Sequence, residues 1–204
     1  MTEQPFNPLA IENLEDSLLR AMLARTPCPL GNIDQFYGAG VYAIYYTGTF
    51  APYRDLAEKN REGKFDAPIY VGKAVPSGGR KGLQVVSTSE SPALWSRLNQ
   101  HARSVAEAQN LMLDDFYARW IVTDQIWIPL GESLLIARTA PVWNALIDGF
   151  GNHDPGKGRS SGMRSRWDTL HPGRSWAERL APRPESPQAV ADDAAEYLRQ
   201  RLQA

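Results

Sequence analysis

Two triplets, Gly40-Val41-Tyr42 and Tyr70-Val71-Gly72, each place a phenol and a glycine in an apolar, β-branched run, and farther along Arg97 and His101 stand four residues apart. Together these side-chain types can divide the work of breaking a phosphodiester. Such an ester gains charge in its transition state, so hydrolysis needs a base for water, positive charge on the phosphate oxygens and help for the leaving oxygen. A tyrosine with an ordinary pKa of ~10 is protonated near neutral pH, and Tyr42 can serve as base only if its proton moves to a neighbour. His101, ordinarily titrating near ~6.5, is poised to accept it, and Arg97 carries a permanent positive charge. Taken singly, the tyrosines read better as strand aromatics, and Arg97 and His101 as an ordinary helix-surface pair.

These residues sit on recognisable elements. Residues 40–46 and 67–72 are β-branched and aromatic and bounded by glycine or proline, so both are expected to be strands. The 27 residues between Tyr42 and Tyr70 are far too many for a tight hairpin, which makes residues 47–66 an excursion. Residues 74–92 form a loop rich in Gly, Ser and Pro. From Leu94 to Gln109 the spacing predicts a helix whose buried face holds Leu94, Trp95, Leu98, Ala102 and Val105. Arg97 and His101 then lie one above the other at the border of that face. A third strand follows at 116–123, with helical stretches at 132–138 and 142–148. An amphipathic helix from Leu9 to Arg25 opens the chain and a helix-like segment at 189–202 closes it. Strands alternating with helices imply an α/β architecture, a small sheet with helices packed on it.

Composition sets the frame. With 204 residues, 43% hydrophobic and 22% charged, the chain falls outside the disordered and fibrous classes. It has no long apolar run and no signal-peptide pattern, so a soluble cytoplasmic protein with no membrane association is expected. One cysteine, Cys28, and three scattered histidines exclude a disulfide framework and a zinc knuckle, leaving oxygen as the ligand of any metal. The net charge of −1 hides local fields. Residues 1–36 are acidic. Residues 73–103 hold Lys73, Arg80, Lys81, Arg97 and Arg103 against Glu90. Residues 157–183 hold seven cations against Asp168 and Glu178, interleaved with Trp167, His171 and Trp176. That suits contact with phosphates and bases, or else a solvated loop. The run Gly151 to Gly158 almost spells a phosphate-cradling P-loop, but Gly158 takes the Ser/Thr position and a helix precedes it.

The order of Gly40-Val41-Tyr42, Tyr70-Val71-Gly72, Arg97, His101, Glu132-Ser133-Leu134-Leu135-Ile136 and Pro141-Val142-Trp143-Asn144 resembles the GIY-YIG nuclease superfamily over residues 38–148. Valine replaces the family's isoleucine in both triplets. Within the superfamily the chain is most similar to type II restriction endonucleases that cut the palindrome CCGCGG, because His101 stands one turn after Arg97 and both insertions are long. The resemblance implies a small, mostly antiparallel three-stranded sheet flanked by helices. It also implies catalytic roles. Tyr42 would be the general base assisted by His101, Arg97 would bind the scissile phosphate, and Tyr70 would position a phosphate or the nucleophile. Glu132 would be the sole protein ligand of one Mg2+ per active site, with water and phosphate completing its shell. Asn144 would bond phosphate or orient a catalytic neighbour, and Lys73 would contact the backbone.

Duplex palindromes ask for two half-site readers, so a homodimer acting on double-stranded DNA is expected. Arg80, Lys81, Arg159, Arg164, Arg166 and Arg174 are available for guanines and phosphates. The expected organisation is a helical extension at 1–37, a catalytic core at 38–148 and a basic DNA-contacting extension at 149–204. A structure-specific repair nuclease of the same fold and a non-catalytic DNA-binding module are the alternatives.

Overall fold

Residues 40–46 lack the alternation of a half-buried strand because, in the computed structural model, this strand is covered on both faces. The structure describes residues 10–76, 90–154, 156 and 162–203. Four strands, β1 (Cys28–Pro29), β2 (Gly40–Tyr46), β3 (Tyr70–Ala74) and β4 (Phe116–Val122), form one antiparallel sheet in the order β1-β4-β2-β3. Three of these were expected. The fourth, β1, is two residues long, too short to leave a periodic pattern.

The pleat sends Tyr42, Ile44 and Tyr46 to one side and Val41, Ala43 and Tyr45 to the other. The second side is closed by α1 (Ile11–Leu23) and α4 (Ile128–Thr139), through Met22, Ile128 and Leu135. The helix α4 starts a turn earlier than expected, since Pro129 suits a first turn, and it stops at Ala140, left-handed at φ 38°, before Pro141. The first side is closed by α3 (Ala93–Glu107), which buries Leu94, Leu98, Ala102 and Val105 as its spacing predicts, and His101 besides, while Trp95, also expected on that face, is half-buried.

The excursion after β2 carries a 3-10 turn at Ala51–Tyr53 and α2 (Arg54–Asn60). Its neck is closed by one side chain. Asn60 Nδ2 donates to the carbonyls of Tyr46 and Ala67, at 3.0 and 2.8 Å, and its Oδ1 accepts from Ala67 N–H at 3.0 Å. The end of β2 is thereby tied to the approach to β3, and pairing sets Tyr42 opposite Gly72 and Ile44 opposite Tyr70. The free edge of β3 is met by α5 (Val142–Ala145), where Trp143 N–H donates to the Ile69 carbonyl at 3.0 Å.

The C-terminal segment, in its described residues, shares the core of the sheet. Its α6 (Arg166–Leu170), α7 (Ser175–Glu178) and α8 (Pro187–Gln203) bring Trp167, Leu170, Val190 and Leu198 into the apolar cluster beneath Tyr42. A buried polar chain runs through this junction. Asn110 Nδ2 donates to the Leu170 carbonyl, so its Oδ1 accepts from His171 Nδ1–H at 2.9 Å. His171 Nε2 accepts from the Tyr53 hydroxyl at 2.7 Å, and that oxygen accepts from Trp143 Nε1–H at 2.9 Å. Burial, with Arg174 adding to it, pushes His171 down to about 3. The unfolded chain therefore binds a proton that the folded chain refuses between its ordinary ~6.5 and that value. Stability from this group is complete above ~6.5 and falls by up to about 1.4 kcal/mol per pH unit below it. Thermal melts from pH 7 down to pH 4 should show a falling Tm, with a shallower fall in His171→Gln.

Candidate active site

Tyr42 projects from the central strand into the side closed by α3, where its hydroxyl lies 2.6 Å from His101 Nε2. Both side chains are buried, and the rings of Tyr42, Tyr70 and His101 sit within 5.2 to 6.2 Å of one another. Phe150 stacks on His101 at 4.4 Å and 18°. Two facts make this close approach possible. Gly72, opposite Tyr42, has no Cβ; one there would stand 2.4 Å from the Tyr42 hydroxyl oxygen. The i, i+4 spacing on α3 then puts Arg97 one turn from His101, beside the same two phenols.

Burial raises Tyr42 well above the ordinary phenol range, with Tyr70 and Glu132 adding to it and Arg97 opposing. Burial also raises Tyr70, again with Arg97 opposing and Glu132 adding. His101 is held well below its ordinary value by burial and then by Arg97. The resting pair is consequently neutral on both sides, a phenol hydrogen-bonded to an imidazole.

Glu132, in the second turn of α4, approaches the phenols around the edge strand closely enough for its charge to disfavour both phenolates. Its Oε2 is 2.5 Å from Lys73 Nζ, which projects from β3. Among the described residues no group of three or more His, Cys, Asp or Glu is placed to hold a metal. A single carboxylate, partly exposed and shared with Lys73, still fits a hard divalent ion that takes most of its shell from water and phosphate oxygens.

Asn144 lies outside this cluster. Its Oδ1 accepts from Val71 N–H and its Nδ2 donates to the Val71 carbonyl, both at 2.8 Å, so the amide is occupied in pinning β3 between Tyr70 and Gly72. This geometry pins the strand that carries Tyr70 and uses one donor and one acceptor site of the amide.

The basic extension differs most from expectation. Arg174 is buried: its Nε donates to Asp168 Oδ1 at 2.7 Å, and its terminal nitrogens donate to the carbonyls of Gly149, Phe150 and Asn152. Its plane lies 4.4 Å from the Trp167 ring and 4.7 Å from Trp176. No edge is left for DNA. Arg166 pairs with Glu185 and Asp193, and Arg164 donates to the carbonyls of Ala177 and Glu178. These three arginines tie the C-terminal segment together. Arg80, Lys81 and Arg159 lie outside the described residues.

Two contacts had no signal in the sequence. Arg97 Nη2 donates to the Gly151 carbonyl at 2.9 Å, and Arg97 Nη1 is 2.6 Å from His153 Nε2. Nothing in spacing or periodicity links an irregular turn at 149–154 to a helix some fifty residues earlier.

A family model described as the Eco29kI GIY-YIG domain matches residues 34–198, most of the chain. No curated protein matches it.

Proposed function

Because the chain belongs to the Eco29kI GIY-YIG family of restriction endonucleases and is thus a nuclease acting on DNA, we propose that it cuts double-stranded DNA at a GC-rich palindrome, CCGCGG, as a Mg2+-dependent type II enzyme. The observation that carries this reading is the 2.6 Å contact between Tyr42 and His101 with Arg97 and Glu132 beside it.

When bound, a divalent cation supplies Lewis-acid charge to the phosphate oxygens. Glu132 holds it. Arg97 adds charge on the scissile phosphate, where an anionic oxygen meets a permanently charged fork. As the Tyr42 oxygen takes a proton from the attacking water, its own proton passes to His101 Nε2. Burial opposes that transfer from both ends, raising the phenol and lowering the imidazole. The base is therefore weak in the free protein. Tyr70, at the open edge of the cluster, positions the nucleophile or phosphate. Asn144 is a positioning residue that fixes the strand carrying Tyr70.

In this reading residues 38–148 carry the catalytic side chains, residues 1–37 form a helical extension, and residues 149–204 brace the site. DNA contacts fall to Lys73, Arg80, Lys81 and Arg159, and a homodimer presents one site to each strand.

Digesting a plasmid of known sequence tests the reading. Discrete fragments with ends mapping to CCGCGG and no cutting in chelator are expected; a smear selects a structure-specific nuclease, and binding without hydrolysis at any divalent cation rejects catalysis. Gly72→Ala offers a sharper check. Its Cβ would occupy the place of the Tyr42 hydroxyl, so kcat should fall about 10²-fold as the phenol is displaced. Far-ultraviolet circular dichroism should stay native, and unchanged kcat would show that the phenol's position is not critical.

A further inference from the structure

The turn at 149–154 grips Arg97 at two points, Gly151 O and His153 Nε2. A guanidinium only donates, so in the second contact Nε2 must be the acceptor and the His153 proton must sit on Nδ1. Arg97 Nη1 also donates to Gln100 Oε1 at 3.0 Å. These three bonds account for both Nη1 protons and one Nη2 proton. Arg97 also lies within side-chain hydrogen-bonding reach of Tyr42 and Tyr70, so the fork is held against both phenols.

The turn is itself fixed. Arg174, paired with Asp168 and lying between Trp167 and Trp176, donates to the carbonyls at 149, 150 and 152. At its centre, a Cβ on Gly151 would come within 3.0 Å of the Tyr70 hydroxyl and 3.1 Å of Arg97 Nη2, so bare backbone is seated against both. Arginine side chains carry ~2 kcal/mol of rotamer entropy, and a catalytic one gains by having that loss met before substrate arrives.

Resting on the nuclease reading above, we propose that His153 is a positioning residue for phosphodiester hydrolysis: its Nε2, with the Gly151 carbonyl, holds the Arg97 guanidinium in a preset orientation for the scissile phosphate, on a turn braced by Arg174. The C-terminal segment thus completes the active site without touching DNA through Arg174.

Two measurements test this. Long-range 1H–15N spectra at neutral pH should show His153 as the Nδ1-protonated tautomer in the wild type, reverting to mainly Nε2-protonated in Arg97→Ala. This readout needs no turnover. In kinetics, His153→Ala should lower kcat about 10- to 100-fold, with DNA affinity measured without cation held within about threefold and Tm unchanged. His153→Gln, whose amide oxygen can accept the same bond, should recover most of the loss. An Nε2-protonated ring in the wild type, an unchanged kcat in His153→Ala, or a loss confined to DNA affinity overturns the proposal. A wild-type chain that cuts no DNA overturns the nuclease reading instead, while the tautomer still decides whether His153 holds Arg97.

Discussion

Replacing Tyr42 with Phe should lower kcat by about 10³-fold while DNA affinity and cation binding stay near wild-type values. The ring keeps its place against Tyr70, so packing is preserved. What disappears is the one oxygen that can take a proton from water and hand another to His101 Nε2 at 2.6 Å. The loss of that hydrogen bond in a buried site should also cost about 1–3 kcal/mol of stability, readable as a lower denaturant midpoint. Single-turnover cleavage with saturating enzyme separates the two effects, because it reports chemistry on folded protein. A rate within tenfold of wild type would remove Tyr42 from the role of base. His101→Ala should fall short of the same loss, since the phenol remains and a water filling the space can still accept its proton, though less well than a fixed imidazole.

The parts of this site that could be read from sequence are those governed by local periodicity. Strands β2 and β3 declare themselves through β-branched and aromatic runs, and α3 through the spacing of Leu94, Leu98, Ala102 and Val105. Arg97 and His101 follow because four residues on a helix is a spatial relation as well as a sequence interval. His101 was nonetheless expected at the margin of the buried face and lies fully inside it, since Phe150, arriving from the far end of the chain, covers it. Pairing across the long excursion was equally hidden, for it depends on Asn60 reaching two carbonyls on either side of the neck.

The difference between the cationic surplus in sequence and the paired arginines in the fold has a simple electrostatic origin. Counting charge in a window from 157 to 183 finds a cationic surplus, but the anions that answer it lie mostly outside that window. Glu185 and Asp193 take Arg166, Glu185 also takes Arg183, and Asp154 takes Arg179. Within the window, Asp168 pairs with Arg174 through Oδ1 and accepts from Ser165 at Oδ2. A linear count measures local composition, whereas a DNA-binding field requires cations left unneutralised after folding. Beside the phenols, Arg97 meets that requirement, since it bonds Gln100, His153 and the Gly151 carbonyl, whereas Lys73 is paired with Glu132.

That carboxylate is the subject of the other large effect. Glu132→Gln should abolish cation-stimulated cleavage, by about 10³-fold or more, because the amide keeps the shape of the side chain and loses the charge that a hard divalent ion requires. It should differ from Tyr42→Phe in two measurable ways. Calorimetric titration of the DNA complex with Mg2+ or Mn2+ should lose its binding isotherm in Glu132→Gln and retain it in Tyr42→Phe. Lys73 Nζ, 2.5 Å from Glu132 Oε2 in the free protein, loses its ion pair and becomes available to a phosphate. DNA should then bind more tightly at low salt, with the slope of log K against log salt steepened by about 0.9. Cleavage within tenfold of wild type would place the cation elsewhere, and an unchanged salt slope would show that Lys73 already reaches the phosphate with Glu132 in place. The two glutamate readouts together thus separate a residue that holds the ion from one that merely restrains a lysine.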